Sequence, residues 1–136
     1  QTCALPIYAS GPNKEKDSQK YWSGDGKSGG QANVEEAISY ATSFSNKTGL
    51  LTYLGAWMPH DNANGGITET EAIKFARFFV KELRKENIPW SLNVLDNYYD
   101  TKKSKWRTET QVINGQQLKM AKILNNIRKE MPKAIY

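Results

Sequence analysis

The sequence predicts an α/β domain built from repeated strand and helix units with parallel strands. Three segments carry apolar residues at helical spacing, and short apolar runs without that period lie between them, as in strands buried on both faces. Loops entering these runs are short, whereas loops leaving them are long and rich in Gly, Asn, Asp and aromatic residues. This order fits either a doubly wound sheet or a (β/α) barrel, and both place their sites at the carboxyl ends of the strands.

The amino-terminal part supplies one strand candidate, residues 7–10, and one helix, predicted over residues 31–46 and ended by Gly49. Residues 1–7, QTCALPI, match the conceptual translation of a sequencing adapter. We expect them to be non-native and assign the domain to residues 8–136. Because Cys3 is the only cysteine, the remaining chain has no disulfide, thiolate nucleophile or cysteine zinc site.

The middle of the chain repeats this order. Residues 50–54 read as a buried strand, and Thr68 and Glu71 then fit a capping box, in which each side chain bonds the backbone amide of the other. The helix that follows has the apolar stripe Ala72, Phe75, Ala76, Phe79, Val80 and Leu83. A third unit is predicted from a strand at residues 89–95 and a helix at residues 115–131, which Pro132 stops.

Composition narrows the function classes. The net charge is +5 at pH 7, but most basic residues alternate with acids, as on a solvated helix face. The densest basic run, residues 102–107, includes Trp106 and is the one candidate for a phosphate-binding patch. Because basic and acidic residues alternate along most of the chain, nucleic acid is not the expected partner. No apolar run reaches the roughly 20 residues of a membrane span, so a membrane is not expected either.

Phosphate, dinucleotide and metal motifs fail on spacing. Neither a P-loop nor a G-x-G-x-x-G fingerprint occurs. An EF-hand register started at Asp61 puts Ala63 and Gly65 at ligand positions, and the triad hypothesis for His60, the only histidine, has no G-x-S-x-G elbow to support it. We therefore predict no metal and no cofactor.

Aromatic residues cluster near the predicted strand exits. Flat rings with polar edges suit the apolar faces of sugars, but they suit a protein core equally well. Both interpretations stay open for Trp22 and Trp57, whereas Trp90, at the start of its strand, is assigned to the core. The other members of the group are Tyr21, Tyr98, Tyr99 and Trp106.

The order of these motifs resembles the carboxyl-terminal portion of glycoside hydrolase family 5, the cellulase family of retaining (β/α)8 barrels. Residues 51–55, LTYLG, look like the seventh barrel strand, and residues 87–90, NIPW, look like the entry to the eighth. Residues 98–106, YYDTKKSKW, are similar to the tyrosine, aspartate, turn and tryptophan segment after that strand. The resemblance implies a partial TIM barrel of about three carboxyl-terminal units.

The resemblance places the nucleophilic Glu of the family at the position of Ala56, which cannot attack a sugar. Three explanations remain: an engineered inactive variant, a natural non-catalytic relative, or chemistry moved to a nearby acid. By the same resemblance, residues 92–94, LNV, lack the tryptophan that the family usually has there, so two departures favour a natural non-catalytic or remodelled relative. The acid/base Glu of the family belongs to a fourth strand, which would precede Tyr8. If the chain hydrolyses sugar, the candidate catalytic residue is Asp61, with either Glu69 or a carboxylate from another chain as its partner.

The resemblance also implies a β-linked glucan as partner, contacted by Asn13, Trp22, Trp57, His60, Asn93 and Tyr98. It implies an extracellular or periplasmic location. Three units are fewer than the eight of a barrel, so we expect a homo-oligomer or a missing barrel half to cover the open edge. The alternative function is a non-catalytic carbohydrate-binding or oligomeric assembly module.

Overall fold

The computed structural model describes residues 31–60 and 67–132. The adapter-like segment, the strand candidate at residues 7–10, and the site candidates Asn13, Trp22 and Asp61 lie outside the described residues. Helices α1, α2 and α3 are Gln31–Thr48, Glu69–Lys85 and Met120–Glu130. The strands, in pairs, are β1 Leu54–Trp57 and β2 Trp90–Leu92, β3 Tyr99–Asp100 and β4 Lys105–Trp106, and β5 Gln111–Ile113 and β6 Gln116–Leu118.

The parallel pairing predicted for the strands on either side of the second helix is confirmed. β1 and β2 pair in parallel, and α2 connects them, so these elements form one β-α-β unit. The other two pairs, β3 with β4 and β5 with β6, are antiparallel hairpins. The described chain is thus a mixed helix and strand fold that contains one parallel pair.

Helix α2 is the centre of the core. Its predicted apolar stripe is buried, with Phe75 and Phe79 stacked at a ring-centroid distance of 5.4 Å. The predicted cap is confirmed in part: the Thr68 hydroxyl accepts from the Glu71 amide at 3.4 Å, but the Glu71 carboxylate bonds Lys74 at 2.8 Å. Around α2 pack β1, β2 and the inner faces of α1 and α3, with the core members Val34, Ile38, Trp57, Ile88, Leu118, Met120, Ile123 and Ile127.

The prediction that residues 50–54 form a strand buried on both faces is wrong for most of the run. Strand β1 begins only at Leu54, and Leu51 is 98% exposed. The Thr52 hydroxyl donates to the Ala41 carbonyl at 3.2 Å, which holds this stretch against α1 before the strand starts. The second predicted strand, at residues 89–95, is likewise shorter, because the ladder ends at Leu92.

The prediction of a helix from residue 115 is wrong at its start. Asn114 and Gly115 adopt left-handed backbone angles, with φ of 49° and 75°, and join β5 to β6. An Asn-Gly pair favours this kind of two-residue hairpin turn, because Asn and Gly tolerate positive φ better than other residues. Helix α3 therefore starts at Met120, and its periodic residues Ile123 and Ile127 are buried as predicted.

No helix within residues 31–60 and 67–132 has the length and apolarity that crossing a bilayer requires.

Candidate functional site

The carboxyl end of β1 contains a bulge. Leu54 pairs with Trp90 and Trp57 pairs with Leu92, so β1 spans this interval with one residue more than β2. Ala56 lies inside the interval and has a φ of 41°, in the left-handed region that costs a non-glycine residue roughly 1–2 kcal/mol. Bulges and strained backbone are frequent beside functional sites. The position that the resemblance gives to the nucleophile is therefore the most irregular point of the parallel pair.

Ser91 supports this bulge from the neighbouring strand. The Ala56 amide donates to the Ser91 hydroxyl at 3.0 Å, so a side chain of β2 satisfies a donor that the regular ladder leaves free. At the residue after Ala56, the Trp57 carbonyl accepts from the Asn93 amide at 2.8 Å, at the end of the ladder between the two strands. The peptide bond that follows Asn93 is cis. Ala56 itself is exposed, and Asn93 is half-buried.

The bulge determines where Trp57 points. Residues that pair across neighbouring strands have their side chains on the same face of the sheet. Trp90 and Leu92 are two residues apart and share a face, so their partners Leu54 and Trp57 share that face too. Without the extra residue, Trp57 would lie on the face opposite to Leu54. Its ring, 4% exposed, instead packs edge to face on Phe79 at a centroid distance of 4.9 Å. Trp57 was a candidate sugar contact, but in this structure its ring belongs to the core.

Beyond the strand ends, His60 and Tyr98 are also buried, at 4% and 5% exposed. The Asn97 amide nitrogen donates to His60 Nε2 at 3.2 Å, which places the loop after β1 against the short 3-10 helix Leu95–Asn97 after β2. We call Trp57, His60, Asn93, Asn97 and Tyr98 the strand-end cluster. The sequence predicted four of its members, and Asn97 was missed although it too follows a strand exit.

Trp57 Nε1 and the Tyr98 hydroxyl, both in the strand-end cluster, are buried without a hydrogen-bond partner among the described residues. A buried polar group left unpaired costs about 1–3 kcal/mol. Burial raises the pKa of Tyr98 well above its ordinary value, so its hydroxyl stays protonated and able to donate. Such groups call for a water or ligand as partner.

Glu69, the other catalytic candidate, joins two helix starts. One carboxylate oxygen accepts from the Lys122 ammonium at 2.5 Å, and the other accepts from the Lys119 amide at 2.9 Å. The Lys122 hydrogen bond is the main cause that lowers the Glu69 pKa. A general acid needs a raised pKa instead. The contacts of Glu69 therefore suit a tie between α2 and α3, and Asp61, the alternative acid, lies outside the described residues.

The hairpin β3–β4 begins at Tyr99, directly after Tyr98 of the strand-end cluster. The Arg107 amide donates to the Tyr98 carbonyl at 2.8 Å, so the base of the hairpin is closed at a member of the strand-end cluster. Tyr99 and Trp106 are cross-strand partners and contact each other edge to face, with ring centroids 5.3 Å apart. Trp106 is 61% exposed. It is the exposed indole ring nearest to the cluster along the described chain.

Within residues 31–60 and 67–132, no group of three or more His, Cys, Asp or Glu side chains is arranged to hold a metal ion.

Comparisons with protein-family models, with curated proteins and with solved structures returned no match to this chain.

Proposed function

We propose that this chain is the carboxyl-terminal part of a (β/α)8 barrel similar to glycoside hydrolase family 5. We also propose that the surface beyond the carboxyl ends of its strands binds β-linked glucan. The observation that carries the proposal is the bulge at Ala56, at the carboxyl end of the first of two parallel strands. This is the end at which β/α barrels build their sites. The unit formed by β1, α2 and β2 is of the kind that such barrels repeat.

The second support is an aromatic surface on the β3–β4 hairpin, which follows the strand-end cluster along the chain. Trp106 offers an open indole face, and the edge-to-face contact with Tyr99 restricts how the ring can turn. Such a face suits the apolar side of a pyranose ring. Because Trp57 and Tyr98 are buried, Trp106 takes the role of sugar platform that the resemblance implied for them.

Ala56 decides between binding and hydrolysis. Retaining chemistry needs two carboxyl groups about 5 Å apart, one of which attacks the sugar. A methyl group cannot attack, and the carboxylate of Glu69 is held by Lys119 and Lys122. We therefore propose binding without hydrolysis by this chain alone.

The experiment is affinity electrophoresis in native gels with and without a soluble β-glucan, together with an assay for released reducing sugar. We expect the glucan to retard the chain and no sugar to be released. Trp106→Ala should weaken glucan binding roughly tenfold or more, since one stacked ring contributes about 1–3 kcal/mol by analogy with base stacking. Tyr40→Ala is the matched control, because Tyr40 is 60% exposed on α1 and should leave the retardation unchanged.

Each other outcome has a defined meaning. Retardation that Trp106→Ala leaves intact would move the binding surface elsewhere. Sugar release that Asp61→Asn abolishes would show that chemistry has moved to Asp61. An unretarded chain would overturn the glucan proposal.

An assembly module is the second candidate, favoured by exposed apolar side chains ahead of β1. Leu51 is 98% exposed, Leu50 59% and Tyr53 49%. Among the described residues β1 pairs on one side only, with β2, and an open edge of this kind is where another copy or a missing barrel half would add. Failure of the glucan experiment would favour this candidate.

A further inference from the structure

The tip of the β3–β4 hairpin carries a charge that a neutral glucan leaves unused. Residues 99–107 hold four cationic side chains, and Asp100 is their one carboxylate. Some exposed cations elsewhere on the described chain form ion pairs, as Lys74 does with Glu71 and Lys122 with Glu69, at 2.8 and 2.5 Å. In the hairpin the cations outnumber the carboxylates, so it forms a local basic surface.

Arg107 is the cation of this hairpin that is already neutralised. Its guanidinium contacts Glu109 at 2.8 Å and Asp100 at 3.8 Å, and its Nε donates to the Asp96 carbonyl at 2.6 Å. The hydrogen bond from Arg107 lowers the pKa of Glu109 to about 2, so this pair stays ionised at any ordinary pH. Arg107 thus fixes the base of the hairpin and leaves the lysines as its available charge.

The three lysines are free to meet a ligand. Lys102 and Lys105 are exposed and have no ion-pair partner among the described residues. Lys103 lies 3.9 Å from Asp100 with 69% of its side chain exposed, a contact that solvent screens strongly. The turn itself is fixed, because the Lys103 amide donates to the Asp100 carboxylate at 3.0 Å and Ser104 takes a left-handed φ of 49°.

Aromatic and basic groups occupy different parts of one small ribbon. Tyr99 and Trp106 pair across the strands, so they share a face, and the pair formed by Asp100 and Lys105 lies on the other face. Lys102 and Lys103 are in the turn that joins the two strands. A chain that stacks one ring on Trp106 and continues past the turn would bring its next substituents to Lys102 and Lys103. The ligand must then offer both flat apolar faces and repeated negative charge.

We infer that the β3–β4 hairpin selects an acidic β-linked polysaccharide, in which sugar rings stack on Trp106 while carboxylates contact Lys102 and Lys103 in the turn. This inference rests on the proposed function and names the substrate class of that site. Single-stranded nucleic acid offers similar chemistry, but its binding sites combine several stacking rings with a basic groove. The β3–β4 hairpin offers one exposed ring, Trp106, beside a short turn that holds two lysines.

The test compares two tetrasaccharides with the same linkage, β-1,4-glucan and β-1,4-glucuronan, which differ only by the carboxylate at C6. Calorimetric titration of the whole chain at low salt should show glucuronan binding about tenfold more tightly, as expected for a few exposed charge contacts. This preference should shrink toward equality at 1 M salt, where the screening length falls to about 3 Å.

Variants separate the two contributions. Lys102→Gln with Lys103→Gln should remove the preference and leave the affinity for neutral glucan unchanged, whereas Trp106→Ala should weaken binding of both sugars. Lys47→Gln is the control, because Lys47 is an exposed lysine on α1. Equal binding of the two tetrasaccharides would overturn the acidic preference alone. Binding of neither would overturn the proposed function, and tighter binding of a single-stranded oligonucleotide than of glucuronan would assign the hairpin to nucleic acid.

Discussion

Trp57→Ala should lower the free energy of unfolding by about 3–5 kcal/mol, the range found when a buried Phe or Trp is truncated. The side chain is 4% exposed and contacts three other rings: Phe75, Phe79 and Trp90, at centroid distances of 6.1, 4.9 and 5.5 Å. Removing it leaves a cavity between β1 and α2. Against a typical total of about 5–15 kcal/mol for a domain, this loss takes a large share of the stability.

The measurement is urea unfolding followed by far-ultraviolet circular dichroism. Trp106→Ala is the matched control, since it makes the same change at a ring that is 61% exposed and should cost less than about 1 kcal/mol. Equal losses in the two variants would contradict the core position of Trp57. Because Trp57→Ala is expected to destabilise the fold, a loss of glucan retardation in that variant would report unfolding rather than lost sugar contact. Trp106→Ala is therefore the variant that tests binding.

Ile123→Ala should cost about 2–5 kcal/mol, because Ile123 is fully buried where α3 packs on α2. Ion pairs also join these helices, such as Arg77 with Glu130 at 2.6 Å, but exposed pairs of this kind contribute about 1 kcal/mol or less. The apolar contact therefore dominates the attachment of α3.

The same unfolding assay applies to this seam between α2 and α3. Val112→Ala removes a β-branched side chain that is 74% exposed, and it should change stability by less than about 0.5 kcal/mol. A small effect of Ile123→Ala, together with a large effect of Arg77→Ala, would mean that charge rather than packing holds α3.

Helical period and capping signals predicted the helices well. α1 continues two residues beyond the predicted end at residue 46 and is followed by Gly49, whose φ of 71° suits a helix end. Thr68 caps α2 as the Thr and Glu spacing indicated. These features follow from neighbouring residues, which is why one sequence sufficed. The hairpin at Asn114 and Gly115 had an equally local signal, and the helical period around it concealed that signal.

The site could be predicted only in outline. The position of Ala56 at a strand exit and the presence of His60, Asn93 and Tyr98 nearby followed from the order of the segments. The bulge did not, because a one-residue insertion depends on the pairing of Leu54 with Trp90 across the sheet. That pairing turned Trp57 from a candidate sugar contact into a core residue. Ser91 had one available signal, as a polar residue inside an apolar strand.

The central claim is that a bulge at Ala56 shapes the carboxyl end of a parallel strand pair. A long-range HNCO experiment, which detects coupling through hydrogen bonds, tests it most directly. The account predicts a correlation between the Asn93 amide and the Trp57 carbonyl, which are 2.8 Å apart. A correlation from Asn93 to the Ala56 carbonyl instead would mean that the strands pair without the bulge, and it would contradict the account.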